Sequence, residues 1–105
     1  MDSTQPQQMP QATGRGEENI VYVGKKSLMA YVLAVVTQFN AGSQEVKIKA
    51  RGKMISRVID VTQVAKNRFL PNLKIKEFNA GTEELQSEDG TMNKVSSLTL
   101  TLTKE

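Results

Sequence analysis

The chain starts without any apolar rhythm and acquires one near Asn19. Residues 1–18 (MDSTQPQQMPQATGRGEE) are mostly Gln, Pro, Gly, Ser and Thr. So little apolar surface cannot offset the entropy of ordering the chain, which predicts a disordered tail ahead of a domain over residues 19–105. Ile20-Val21-Tyr22-Val23 reads as a short strand closed by Gly24. From Leu28 to Asn40 the apolar residues fall at helical spacing (Leu28, Val32, Val35, Phe39), with Ser27 placed to cap the start and Gly42 to stop the end. Met29, Leu33 and Val36 are apolar as well, so this helix is expected to be covered on several sides.

The period then changes to two. Val46, Ile48 and Ala50 alternate with Lys47, Lys49 and Arg51, the pattern of a half-buried strand whose second face is cationic. After Gly52 a second helix is predicted from about Met54 to Arg68. Ile55, Val58, Ile59 and Thr62 lie on its apolar side, Val61 and Ala65 widen it, and Pro71 marks the stop. Leu73 to about Leu85 reads as a strand with Gly81 as a bulge or bend, and Glu88-Asp89-Gly90-Thr91 as the following turn. In the last strand, Lys94 to Lys104, Leu98, Leu100 and Leu102 face one way and Thr99, Thr101 and Thr103 the other. The order βαβαββ predicts an α/β (α+β) two-layer sandwich, with both helices on one sheet face and a projecting C-terminal hairpin.

Composition narrows the chemistry. There is no cysteine and no histidine, which removes disulfides, thiolate metal sites and the commonest general base. The longest mainly apolar run, Leu28 to Val36, falls well short of the roughly 20 residues of a membrane span. No basic start leads into an apolar stretch at the N-terminus, so the expectation is a soluble, cytoplasmic chain. Net charge is only +3, but it is unevenly placed. Residues 20–78 hold eleven Lys/Arg against Glu45, Asp60 and Glu77, while the segments on either side are weakly acidic. A basic middle of this kind attracts polyanions, although a merely solvated lysine-rich surface would have the same composition.

No glycine-rich phosphate loop is present, since Gly24-Lys25-Lys26 lacks the upstream glycine of a P-loop. Glu83-Glu84 and Glu88-Asp89 suggest a Mg²⁺ site only weakly, because carboxylates in and beside a hairpin tip are usually solvated. No cofactor is expected, and nothing marks a nucleophile with its base. The cations are more telling. Lys25 and Lys26 precede a predicted helix, where free amides attract phosphate. Lys47, Lys49, Arg51, Lys53 and Arg57 follow one another with no acid between them. Lysines on such a face also serve simply to protect an edge strand, but the charge continues across a turn and includes arginines. Only five aromatic residues occur, so backbone contact is a better expectation than base stacking. In Asn67-Arg68-Phe69-Leu70-Pro71, Phe69 and Leu70 either seal the core or form an exposed apolar contact, and periodicity does not choose.

Three stretches together resemble the Alba family of archaeal chromatin proteins. They are Val23-Gly24-Lys25-Lys26 leading into Met29-Ala30-Tyr31-Val32-Leu33-Ala34, then Ile48-Lys49-Ala50-Arg51-Gly52-Lys53-Met54-Ile55-Ser56, then Asn67-Arg68-Phe69-Leu70-Pro71. The resemblance spans roughly residues 19–104. It implies a fold like the C-terminal domain of bacterial translation initiation factor three, and a homodimer that binds double-stranded DNA and RNA with little sequence preference. It implies a nucleic-acid surface centred on Lys25 and Lys26, with Lys25 at the position of a family acetylation site. By the same resemblance Lys49, Arg51, Lys53 and Arg57 form the basic strand-to-helix segment, Asn67 and Arg68 are polar contacts, and Phe69, with Leu70, touches the neighbouring dimer.

Two departures stand out. Ser27 replaces the proline that many relatives have after Lys-Lys, and as an N-cap it should preserve the helix start. The arm Gln86-Ser87-Glu88-Asp89-Gly90-Thr91-Met92-Asn93-Lys94 carries two acids where family arms often carry arginines, which implies weaker minor-groove contact. The leading expectation is an architectural chromatin protein associated with the chromosome. An RNA-stabilising or RNA-remodelling protein is the alternative, and a non-catalytic assembly subunit with a basic docking face the third reading.

Overall fold

Strand β1 (Ile20–Tyr22) runs parallel to β2 (Glu45–Arg51), pairing Val21 with Ile48 and Tyr22 with Lys49. Two further strands, β3 (Leu73–Gln86) and β4 (Met92–Lys104), complete a four-stranded sheet of order β1-β2-β4-β3, with both other pairings antiparallel. Helix α1 (Leu28–Asn40) connects β1 to β2, and α2 (Ile55–Arg68) connects β2 to β3. This computed structural model describes residues 19–105, so the tail expected over residues 1–18 lies outside the described residues.

Local signals set the helix ends. The Ser27 hydroxyl accepts from the Ala30 amide at 3.3 Å, satisfying a donor that the first turn leaves unpaired. At the other end Gly42 adopts φ +107°, its amide donating to the Phe39 carbonyl and that of Ser43 to the Gln38 carbonyl, so two terminal carbonyls are satisfied. Gly52, at φ +58°, turns the chain out of β2 into a 3-10 turn (Gly52–Met54), so α2 starts at Ile55 and not at Met54.

The core lies between the helices and one sheet face. Val32 and Val35 of α1 and Val58 and Val61 of α2 meet Val46, Ile48, Leu100 and Leu102, all fully buried. Val23, read as part of the first strand, falls just beyond it, yet it is buried and its amide donates to the Lys49 carbonyl at 2.8 Å. Contrary to expectation, α1 is not enclosed: Met29 and Leu33 are exposed and only one broad face is covered.

Two further expectations need correction. Gly81 pairs regularly with Ser97, and the sheet's irregularity lies at Lys76, between the pairs Ile75–Leu102 and Glu77–Thr101. Alternation alone would place Ile75 and Phe78 on opposite faces. The extra residue returns Phe78 to the side of Leu100, so both apolar side chains lie on the helix side of the sheet. Likewise the open face of β2 is not purely cationic, because Glu45 shares it and contacts Lys76. The hairpin does project. β2 pairs with β4 only as far as Ser97, whereas β3 and β4 stay paired out to Gln86 and Met92.

Candidate nucleic-acid interface

Residues Gly24 to Lys26 form the turn between β1 and α1, and three side chains fix its backbone. Ser27 caps the helix that follows. The Lys26 amide donates to the Tyr31 hydroxyl oxygen at 3.0 Å. Arg57, from the first turns of α2, donates through Nη1 to the Gly24 carbonyl at 2.8 Å and through Nη2 to the Lys26 carbonyl at 2.7 Å. Its guanidinium also lies 5.8 Å from the centre of the Tyr31 ring, within cation–π range. The turn is thus held at both ends by one planar, permanently charged fork. The side chains of Lys25 and Lys26 remain exposed. No acidic residue sits in the first turn of α1, so no carboxylate there offsets the positive potential of these two ammonium groups and the helix N-terminus.

Lys49 and Arg51 leave the open face of β2 beside this turn, but they are not isolated cations. Glu83 reaches across from β3 and receives the Lys49 ammonium at 3.0 Å and Arg51 Nε at 2.8 Å. Its carboxyl is held below its ordinary value of 4.5, first by the Lys49 contact and then by Arg51. Lys53 projects from the 3-10 turn and is exposed. The structure therefore gathers Lys25, Lys26, Lys49, Arg51, Lys53 and Arg57 at one end of the sheet. It also gives them different duties: Lys25, Lys26 and Lys53 face solvent, Arg57 braces the turn, and Lys49 and Arg51 share a carboxylate.

Asn67 and Arg68 are exposed at the far end of α2. Arg68 lies eleven helical steps beyond Arg57, about 16 Å along the axis, so this pair sits apart from the Lys25–Lys26 turn. At the following pair the structure divides what the sequence left joined. Phe69 is 40% exposed, whereas Leu70 is buried and joins the core. Leu70 therefore seals the core under the loop, and only Phe69 of the pair keeps an exposed edge. Its amide donates to the Ala65 carbonyl and its carbonyl accepts from Leu73, which draws the side chain inward.

The arm tip is a tight turn with Gly90 at φ +90° and the Asp89 carboxylate accepting from the Thr91 amide at 2.9 Å. That hydrogen bond is the main reason the Asp89 carboxyl lies below its ordinary 3.8. Glu88, Asp89 and Lys94 are all exposed. Among the described residues no three His, Cys, Asp or Glu side chains group as a metal site, and Glu83 already has two cationic partners. No helix of the described residues is long and apolar enough to cross a membrane. The sequence held no signal for the roles of Glu83 and Tyr31, because their partners lie across the sheet or across a turn.

The sequence model described as Alba matches residues 19–82. A DNA/RNA-binding protein Alba of Methanococcus maripaludis is 54% identical over 88 residues, covering 83% of this chain and 99% of that protein. DNA/RNA-binding protein Alba 1 of Archaeoglobus fulgidus is 51% identical, covering 84% and 98%. The solved structure of Alba from Thermoplasma volcanium superposes with a TM-score of 0.78 at 49% identity, covering 82% of this chain and all of that one.

Proposed function

The chain belongs to the Alba family, and from that premise we propose that it binds DNA and RNA duplexes as a homodimer, through their phosphates and with little sequence preference. The observation that carries this reading is the braced turn, which presents Lys25 and Lys26 to solvent beside a helix N-terminus. Lys53 extends the same positive edge. The names of the relatives include both DNA and RNA, in keeping with a surface that reads backbones and not base edges. The protein acts by binding and not by catalysis, coating or compacting the chromosome. Acetylation of the exposed Lys25 would remove one of its phosphate contacts.

A second copy of the chain is supported by the β3 side of the sheet. Ile75 and Phe78 are 46% and 65% exposed there, although they lie on the same side as the buried leucines of β4. Between Ile75 and α2 runs a groove of about 330 Å³, lined by Thr62, Gln63, Lys66, Leu73, Lys74 and Ile75. Apolar side chains of this size beside an apolar groove are the usual mark of a protein contact.

The test is a salt titration of duplex binding, with the oligomeric state followed by sedimentation. If each subunit of a dimer places Lys25, Lys26 and Lys53 on phosphates, log affinity should fall with log salt at a slope of about −5. Replacing Lys25 and Lys26 with Gln should weaken binding to every duplex sequence and make the slope shallower, without changing the dimer. An affinity indifferent to salt, or a double variant that binds like the parent, would refute the phosphate reading.

A further inference from the structure

Beside the Lys25–Lys26 turn, the open face of the sheet ends in a hollow whose aromatic wall takes no part in phosphate contacts. Tyr22, the last residue of β1, is in register with Lys49 of β2. In-register neighbours leave a sheet on the same side, so Tyr22 shares the helix-free face with Lys49 and with Arg51 two residues on. The hollow, about 220 Å³, is lined by Tyr22, Val23, Lys49, Ala50, Arg51 and Met54.

Tyr22 is 64% exposed on an edge strand, while Val21 and Val23 on either side of it are buried. The core therefore makes no use of its ring. Around the ring stand Lys49 and Arg51, with Lys25 and Lys26 only a few residues further along the chain. Glu83 engages Arg51 through Nε, which steadies the guanidinium beside the ring.

An aromatic plane beside cations suits one kind of ligand: a flat π-face joined to a phosphate. Bases inside a continuous duplex are stacked on one another and offer no such face, whereas an unpaired base does. We propose that this hollow is a subsite for an unpaired nucleobase, stacked on Tyr22, with its neighbouring phosphates held by the cations of the turn and of β2. The subsite rests on the nucleic-acid reading above but not on the duplex contacts. It would let the protein hold bulges, loops and single-stranded stretches with the same edge that grips paired backbones. Five aromatic residues looked too few for base stacking; placed at the cationic edge, one of them is enough for a single base.

The experiment uses blunt two-strand duplexes of RNA and of DNA carrying one bulged 2-aminopurine, beside the same duplexes fully paired, with the whole chain and its Tyr22→Phe and Tyr22→Ala variants. Wild type and Tyr22→Phe should quench the bulged fluorophore. Tyr22→Ala should lose that quenching, and its affinity for the bulged duplex should drop roughly five- to a hundred-fold, as expected for one lost stack. Affinity for the fully paired duplexes should be the same for all three proteins, which also shows that Tyr22→Ala is folded. Quenching confined to the RNA probe would support the subsite and assign it to RNA, and quenching by both probes would support it for either strand. If Tyr22→Ala quenches and binds the bulged probe like wild type while the duplex still binds, the subsite is overturned and the duplex reading stands. If wild type binds no probe at all, both are overturned.

Discussion

The Arg57 guanidinium donates to the Lys26 carbonyl at 2.7 Å, from a position 31 residues further along the chain. Its second terminal nitrogen reaches the Gly24 carbonyl, so one side chain spans the turn that carries both lysines. Arg57 therefore fixes where the two exposed lysines of the turn stand, and its contacts are to protein. Lysine keeps the charge but has no planar fork, and its single ammonium cannot serve both carbonyls in that geometry. Arg57→Lys should lower stability by about 1.5–3 kcal/mol, the range for hydrogen bonds to charged groups, and should weaken duplex binding although net charge is unchanged. The salt slope should stay near that of wild type, because the count of phosphate contacts is the same. A thermal melt and two salt titrations check this. Wild-type stability and affinity in Arg57→Lys would mean that Arg57 is an ordinary phosphate ligand.

Glu83 creates a competition that the basic segment of the sequence conceals. Any phosphate that takes Lys49 and Arg51 must displace a carboxylate 3.0 and 2.8 Å from them. Glu83→Gln should therefore bind duplexes more tightly, with a salt slope steeper by about one to two per subunit as those cations become available. The sign with pH follows. In the free protein the Glu83 carboxyl lies below its ordinary 4.5, so the ion pairs add to stability above that value and are lost as pH falls through the depressed one. Phosphate on Lys49 and Arg51 would remove the cause of the depression, so complex formation takes up protons in this range. Binding by wild type should gain more on acidification toward the carboxylate range than binding by Glu83→Gln. Equal pH profiles for the two proteins would show that phosphates never reach Lys49 and Arg51.

Much of the architecture is legible in the chain because local chemistry and burial agree. Ser27 and Gly42 bracket α1, and Val46, Ile48 and Ala50 fall on the covered side of β2 as their alternation requires. The bulge is instructive because its signal was present but assigned to the wrong residue. Leu73 and Ile75 set one phase of alternation and Phe78 and Ala80 the other, a slip of one residue that a bulge at Lys76 absorbs. Glycine drew the expectation to Gly81, where the ladder is regular. The candidate site was legible as a set of charges and illegible as a division of labour. That Arg57 braces, that Glu83 shares two cations, and that Leu70 is buried while Phe69 is not all depend on contacts between distant segments, which no period or spacing encodes.

Phe69 and Leu70 allow fold and function to be separated with two adjacent substitutions. Leu70 is 8% exposed within the core, so Leu70→Ala should cost about 2–5 kcal/mol and lower the melting temperature accordingly. Phe69 keeps 40% of its surface exposed just beyond α2, and truncating it should cost clearly less than the roughly 3–5 kcal/mol of a buried phenylalanine. Its exposed edge is the part available to a neighbouring molecule on the same nucleic acid. Phe69→Ala should therefore bind a duplex long enough for one dimer with near wild-type affinity, yet lose the sigmoidal filling of a long duplex that contacts between neighbours produce. Leu70→Ala, tested well below its melting temperature, should keep that sigmoidal filling. Binding isotherms on short and long DNA, beside melts of both variants, decide the matter. If Phe69→Ala fills long DNA as cooperatively as wild type, the exposed ring makes no contact between dimers, and its place at the end of α2 serves the fold alone.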